Sequence, residues 1–350
     1  MSAVHDVAAR ALRALDPETA HRLTLRALSA GLGPRDDGLD DPALAVQLAG
    51  LSLPNCIGLA AGFDKDCEAP NAMLAAGFGL VECGTVTPRP QDGNARARVF
   101  RLAEDRGVIN RLGFNNAGLD AFAERMAARP RRGVVGANLG ANKDSTDRAA
   151  DYVAGLRRLW AHADYFTINV SSPNTPLLRE LQGRSQLQDL CGRLAEARAE
   201  LADGRNPPIF LKVAPELTDR EIRDVCEVTT EAGLNGLVIS NTTIDRSAKL
   251  RSTLRGESGG LSGAPLFEQA TETLRRFHRS RDDKLALIGA GGVSSGAEAY
   301  AKIRAGACAV QLYTALVYAG PGLVARIKRD LAARLRADGF ASVVEARGTG

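Results

Sequence analysis

The chain is poor in the residues that many catalytic centres draw on. Its four histidines, His5, His21, His162 and His278, are scattered, and none follows a strand-like apolar run or stands beside a serine or cysteine. A histidine-based triad and a histidine-rich metal site are therefore set aside, and any base the chemistry needs must be another group. The six cysteines, Cys56, Cys67, Cys83, Cys191, Cys226 and Cys308, form no C-x-x-C pair and no metal-ligand spacing, so no metal is expected. Several lie within apolar runs, as buried thiols of a reducing cytoplasm do. Charge of one sign is not in excess. Against 45 Lys and Arg stand 41 Asp and Glu, and no basic stripe with interleaved aromatics occurs, which argues against nucleic acid as a partner. What remains is an ordinary soluble composition, 45% hydrophobic and 25% charged over 350 residues, enough for one large core or one core with a small appendage.

Residues 1–35 differ in pattern from the rest of the chain. Val4, Val7, Ala8, Ala11, Leu12 and Leu15 recur at helical spacing with Asp6, Arg10 and Arg13 off the stripe, which predicts an amphipathic helix. Asp16-Pro17 reads as an N-cap and a first-turn proline, opening a second helix through about Ala30 with Ala20, Leu23, Ala27 and Leu28 on one side. Neither is long or apolar enough to span a bilayer, and no basic n-region leads into an apolar core as in a signal peptide. Taken by themselves, such helices more often pack on their own domain than lie in the membrane interface. The turn-rich, polar stretch Asp36-Asp37-Gly38 to Asp41-Pro42 reads as a hinge, giving a helical unit of residues 1–38, a main domain of 39–340 and a frayed tail of 341–350.

Beyond the hinge, short apolar runs at residues 56–60, 80–83, 134–137, 165–168, 209–211, 237–239, 285–288 and 309–312 alternate with helix-length stretches such as 187–201, 219–232, 265–279 and 294–305. About eight such units in roughly 300 residues is the count and size of an α/β fold of the (β/α)₈ TIM barrel type. A doubly wound sheet would lead us to expect Gly-x-Gly-x-x-Gly after its first strand, and Ala60-Ala61-Gly62-Phe63 does not supply it. Residues 87–116 interrupt the alternation. Pro88, Pro90 and Gly93 predict turns there, and residues 98–101 are expected to pair with 108–110 as a hairpin walling a pocket.

Polar residues follow each apolar run: Ala61 to Lys65, Thr85, Asn138, Lys212, Ser240 to Thr242, Gly289 to Gly292, and Tyr313-Thr314. The densest is Asn169-Val-Ser-Ser-Pro-Asn-Thr-Pro176, where two prolines stiffen a loop that holds Ser172 and Asn174. A barrel brings all these ends to one rim. Glycines before Val293 and the Tyr313-Thr314 corner suit a phosphate. Lys65 and Lys212 are costly near a core without an anion to face. Asparagines 110, 138, 169, 174 and 241 suit a small amide-rich ring. Without metal ligands or a histidine base, such a pocket points to an organic cofactor.

The motifs Ala60-Ala-Gly-Phe-Asp-Lys-Asp66, Glu82-Cys-Gly-Thr-Val-Thr-Pro-Arg-Pro-Gln91, Asn110-Arg-Leu-Gly-Phe-Asn-Asn116, the 169–176 loop, Asn241-Thr-Thr-Ile-Asp-Arg246 and Gly259-Gly-Leu-Ser-Gly263 resemble, in order, the dihydroorotate dehydrogenases. The likeness is to their membrane-associated, quinone-using class 2 and extends over nearly the whole chain. It implies an FMN-containing barrel that oxidises (S)-dihydroorotate to orotate in pyrimidine synthesis, with a membrane quinone as final electron acceptor. Position by position, the resemblance makes Ser172, where class 1 enzymes carry cysteine, the base for the C5 proton while hydride leaves C6 for the flavin. It assigns Lys65, Asn110, Arg111, Leu112, Gly113, Phe114, Asn169, Asn174, Asn241 and Thr242 to the substrate. To FMN it assigns Ala61, Gly62, Phe63, Asp64, Lys65, Thr85, Asn138, Asn169, Lys212, Ser240, Gly263, Gly292, Tyr313 and Thr314. Ser240 and Thr314 exchange one hydroxyl residue for another relative to the family's usual Thr and Ser.

With no histidine beside it, Ser172 needs a water or a hydroxyl such as Thr175 to relay its proton, and residues 177–183 are expected to form a lid. The resemblance also changes the expectation for residues 1–35, which become a membrane-facing funnel admitting quinone, on a monomer held peripherally at the cytoplasmic face of the cell membrane. Two other readings remain open to the residues alone: a Schiff-base aldolase using Lys212, and a non-catalytic phosphate-ligand barrel tethered by its N-terminus.

Overall fold

The main strands lack any alternation of buried and exposed residues: 80–86, 165–169 and 209–213 are buried at every position, as parallel strands covered on both faces must be. The computed structural model describes residues 2–36, 38, 40–202, 204–247 and 249–350; Asp37 of the expected hinge and the side chains of Val4, Asp6 and Arg10 lie outside the described residues. In chain order the strands are β1 (Val46–Leu48), β2 (Leu51–Leu53), β3 (Ile57–Leu59), β4 (Leu80–Val86), β5 (Val99–Leu102), β6 (Gly107–Asn110), β7 (Val134–Leu139), β8 (Tyr165–Asn169), β9 (Ile209–Val213), β10 (Gly236–Ile239), β11 (Gly260–Gly263), β12 (Ala286–Ala290) and β13 (Ala309–Leu312). Eight of them, β3, β4, β7, β8, β9, β10, β12 and β13, close into a parallel barrel, sealed by β13 on β3. The fold is a TIM barrel, as the spacing of apolar runs predicts.

Helices α1 (Ser2–Leu12) and α2 (Pro17–Ser29) precede the barrel. Around it run α3 (Pro70–Ala75), α4 (Leu119–Ala128), α5 (Arg148–Leu159), α6 (Arg184–Leu201), α7 (Asp219–Glu231), α8 (Phe267–Ser280), α9 (Gly296–Arg304), α10 (Thr314–Ala319), α11 (Leu323–Ala337) and α12 (Val343–Ala346). Their starts follow local chemistry. On α7, Thr218 and Glu221 form a reciprocal capping box, and Ile222, Val225, Cys226 and Thr229 make the buried stripe. Inside the barrel, Gly136 leaves room that a side chain would deny, since a Cβ there would lie 2.2 Å from the Tyr165 ring.

The excursion after β4 folds as expected: β5 pairs antiparallel with β6, Val99 opposite Asn110. A third strand, β11, joins the far side of β6, so a segment far along the chain completes this small sheet above the rim. Asn142 stitches the excursion to the barrel, donating to Thr87 Oγ1, the Arg89 carbonyl and Gln91 Oε1.

The N-terminal helices are fastened to that sheet. Asp16 caps α2 by accepting from Thr19 N at 2.9 Å, with Pro17 in the first turn. Glu18 accepts two bonds from the buried Arg98 guanidinium, at 3.0 and 2.9 Å, and this pairing holds its carboxyl below the usual range. Arg101 donates to the carbonyls of Arg13 and Leu15 at 2.8 Å. Among the described residues no helix is long and apolar enough to cross a membrane.

Two expectations are corrected. Asp36 and Asp40, within the stretch read as a hinge, are pinned, both holding Lys328 of α11, at 2.6 and 2.5 Å. The last ten residues are not frayed: α12 buries Val343 and Ala346, and Gly350 N donates to the Arg304 carbonyl at 3.0 Å.

Candidate active site

Glu82 forms the floor of the site. It interrupts an apolar run on β4 and is fully buried. Its carboxylate accepts from Asn138 at 2.7 Å, Gln311 at 2.8 Å, Thr167 at 2.9 Å and Tyr165 at 3.3 Å. A carboxylate only accepts, so each of these partners must turn a donor toward it. The polarity then propagates across the rim. Thr85 donates to Asn138 Oδ1 at 2.5 Å, Asn169 donates to Thr85 Oγ1 at 3.0 Å, and Asn241 donates to Asn169 Oδ1 at 3.1 Å and to Ser171 Oγ at 3.0 Å. One buried acid thereby decides which edge, donor or acceptor, Asn138, Asn169 and Asn241 turn toward their neighbours.

That space is a cavity of about 1060 Å³ that begins at Lys212, Asn169 and Asn241 and continues outward between α1 and α2. Lys65 and Lys212 enter it from the ends of β3 and β9. Neither ammonium makes a hydrogen bond or ion pair among the described residues, and burial pulls both below the ordinary lysine range. For Lys212 the opposing influence is the charge of Glu82.

Ser172 faces the same cavity from the stiff loop after β8 and is 6% exposed. Its Oγ accepts from Asn174 N at 3.3 Å, and Asn174 reaches Asn110 Oδ1 of β6 at 3.3 Å. Thr175 Oγ1 is buried with no partner among the described residues. The following 3₁₀ turn, Leu178–Gln182, covers this loop. Arg179 fastens it, donating to the Ser171 carbonyl and the Thr242 carbonyl at 3.0 Å and pairing with Glu216 at 3.1 Å.

In the same cavity, Gly263, Gly292 and Thr314 form a cradle. Gly263 (φ +90°) and Gly292 (φ +83°) hold backbone conformations that side chains resist, and a Cβ at Gly292 would sit 2.4 Å from Phe267 Cα. Thr314 Oγ1 donates to Ser262 Oγ at 2.9 Å, tying the cradle to β11.

A family model described as dihydroorotate dehydrogenase matches residues 43–335, the whole barrel with its excursion. The chain belongs to the dihydroorotate dehydrogenase family. A relative named dihydroorotate dehydrogenase (quinone) from Rhodospirillum rubrum is 56% identical over 334 residues, covering 95% of this chain and 91% of its own length. Another of that name, from Cereibacter sphaeroides, is 53% identical across 100% of this chain and 98% of its own, so the likeness includes α1 and α2. The crystal structure of the Eimeria tenella dihydroorotate dehydrogenase in complex with ferulenol matches with a TM-score of 0.92 at 41% identity, over 95% of each chain.

Most residues assigned from sequence line this cavity, including Ser172, Asn110, Phe114, Asn174, Thr242, Ser240 and Tyr313. Three do not. Arg111 turns away, pairing with Glu257 at 2.8 Å over the Phe100 ring. Asp64 is committed to the backbone N–H groups of Glu68 and Ala69, both at 2.8 Å. Asn138 stands behind the wall, holding Thr85 to Glu82. Sequence reasoning missed His21 and Arg101, which reach the cavity from a helix and a hairpin rather than from a strand end. His21 packs edge-on to Phe63 at 5.4 Å, and burial together with Lys65 pushes its pKa down to about 3, leaving a neutral imidazole.

The family is flavin-dependent, and Gly292 offers a test of the cradle. Gly292→Ala forces the loop off Phe267, with strain of about 1–3 kcal/mol at a left-handed residue. The variant is expected to fold yet bind flavin roughly tenfold or more weakly. Flavin titration beside a thermal melt checks this, and undiminished binding would count against the cradle.

Proposed function

We propose that this chain oxidises dihydroorotate to orotate in pyrimidine synthesis, with FMN as the hydride acceptor and a membrane quinone taking the electrons onward. The observation that carries the reading is the convergence of Ser172 with Lys65 and Lys212, two lysines without a partner among the described residues, on a single cavity open toward α1 and α2. FMN fits these residues: the glycine cradle would take its phosphate, and Lys212 would face its ring. When bound, FMN supplies the acceptor for hydride from C6 of the substrate.

The protein's own groups do the rest. Ser172 Oγ takes the C5 proton and passes it on through a water or through the Thr175 hydroxyl, which is buried without a partner among the described residues. Lys65 meets the substrate carboxylate, Asn169 and Asn241 hold the ring in the polarity that Glu82 imposes, and the Asn110–Asn174 pair closes on it from the small sheet and the loop after β8. Lys212 keeps positive charge in place where negative charge develops, before any solvent has to reorganise. The turn anchored by Arg179 excludes water.

The outer cavity admits the quinone. Val7, Leu15, Leu23 and Leu32 are exposed large apolar side chains of the first 35 residues, beside exposed Arg22 and Arg26. That combination suits a peripheral seat on an anionic bilayer at the cytoplasmic face.

Absorbance tests this directly. The purified protein is expected to be yellow and to bleach when dihydroorotate is added without oxygen; a colourless protein that takes up no FMN would overturn the proposal.

A further inference from the structure

Lys302, on α9, takes no part in the chemistry above, yet it is 0% exposed. Its ammonium donates to the Ala290 carbonyl at 3.2 Å and stands 5.5 Å from the centre of the Phe267 ring. It forms no ion pair among the described residues. A fully buried ammonium with one of its three donors engaged and no carboxylate beside it is costly unless an anion lies near.

Its position says where that anion belongs. A Cβ on Gly289 would lie 3.2 Å from Lys302 Cδ, so the side chain packs against the rear of the turn after β12. The front of the same turn, Ala290 to Gly292, lines the cavity at the cradle. Phe267, which carries the cation on its ring, is also the residue against which Gly292 closes.

We propose that Lys302 is the charge behind the phosphate cradle: acting through the Ala290 carbonyl and the glycine turn, its ammonium favours the phosphate dianion of FMN, and loading the phosphate draws a proton onto it. Lys302 touches neither reacting atoms nor substrate, so it is a positioning residue. The inference rests on FMN being the cofactor.

The charges around it set the direction. Burial, and then Arg275 on α8, push the pKa of Lys302 down to about 7, while Glu298 on its own helix raises it. Glu298 is itself engaged by Ser294 and Ser295. α11 approaches α9 from the other side with Asp330 against Gly296, and β12 and β13 bring no titratable side chain. Before loading, the amine is largely neutral above pH 7; a dianion raises its pKa, so binding takes up a proton near pH 8 and weakens as pH climbs further. The phosphate is fully ionised there, its second pKa being about 6, so it contributes no uptake of its own.

The experiment removes flavin from the full-length protein and titrates it at pH 8 with FMN and with riboflavin, by calorimetry in two buffers of different ionisation enthalpy. Wild type is expected to take up a sizeable fraction of one proton with FMN and none with riboflavin. Lys302→Met should abolish the uptake and weaken FMN by roughly tenfold while leaving riboflavin nearly unchanged. Equal weakening of both ligands, or wild-type FMN binding without proton uptake, would overturn the proposal while leaving FMN as the cofactor. Wild-type protein that bound neither ligand would remove the FMN reading and this one with it.

Discussion

Ser172→Ala is expected to slow reduction of the bound flavin by dihydroorotate by roughly 10²–10⁴-fold, the usual contribution of a positioned base. Flavin content should remain that of the unaltered chain, because among the described residues Ser172 Oγ makes only the 3.3 Å contact with Asn174 N and carries none of the network below it. The neighbouring hydroxyl behaves differently: Ser171 Oγ donates to Asn169 Oδ1 at 3.2 Å and accepts from Asn241, so its loss would disturb the floor of the site. Serine is a weak base, and no histidine adjoins it. Its competence depends on the dry, rigid loop between Pro173 and Pro176 and on the free hydroxyl of Thr175. Stopped-flow reduction under anaerobic conditions gives the rate, and a near-normal value would remove Ser172 from its role.

Deleting residues 1–35 is expected to cut quinone reduction by about 10²-fold or more, the scale of losing a wall that positions a reactant, while reduction of the flavin by dihydroorotate persists. The two half-reactions separate because the cavity does. Its inner end is built from barrel strands, whereas its outer end is built from α1 and α2, with His5, Ala8, Leu12 and His21 among the lining residues. The polar attachments of the helices, Glu18 on Arg98 and the Arg13 and Leu15 carbonyls on Arg101, can be replaced by solvent once the helices are gone, and the apolar surface uncovered is that beneath Leu25 and Leu28 of α2. Lys328 keeps Asp36 and Asp40, so the barrel's own closure is untouched. Steady-state assays with a soluble quinone and single-turnover reduction, run on one preparation, distinguish the outcomes; unaltered quinone turnover would sink the funnel.

The barrel was legible because parallel strands buried on both faces write themselves as unbroken apolar runs, and each of the eight runs became a strand. The rim residues were legible for the same reason, as polar groups that follow those runs. Elements formed by other rules stayed hidden. The β1–β2 hairpin turns through Ala49 (φ +49°) and Gly50 (φ +89°), where asparagine in place of alanine would have announced it. Gly260–Gly263 has one large apolar residue and reads as a loop, and becomes a strand only because β6 offers an open edge. Glu82 was a missed signal, since a carboxylate inside an apolar run is tolerable only where several donors await it. The tail looked frayed because Val343 and Ala346 are too few to show a period, although together they cover α9.

The buried acid at the barrel's centre has an implication for redesign. Glu82, Thr85, Asn138, Asn169 and Asn241 lie on four neighbouring or facing staves, yet every amide among them inherits its orientation from the same carboxylate. Retargeting such a barrel to a ring with the opposite pattern of donors and acceptors is thus a collective exchange, in which single replacements would pull against the remaining four and only a coordinated set could invert the template.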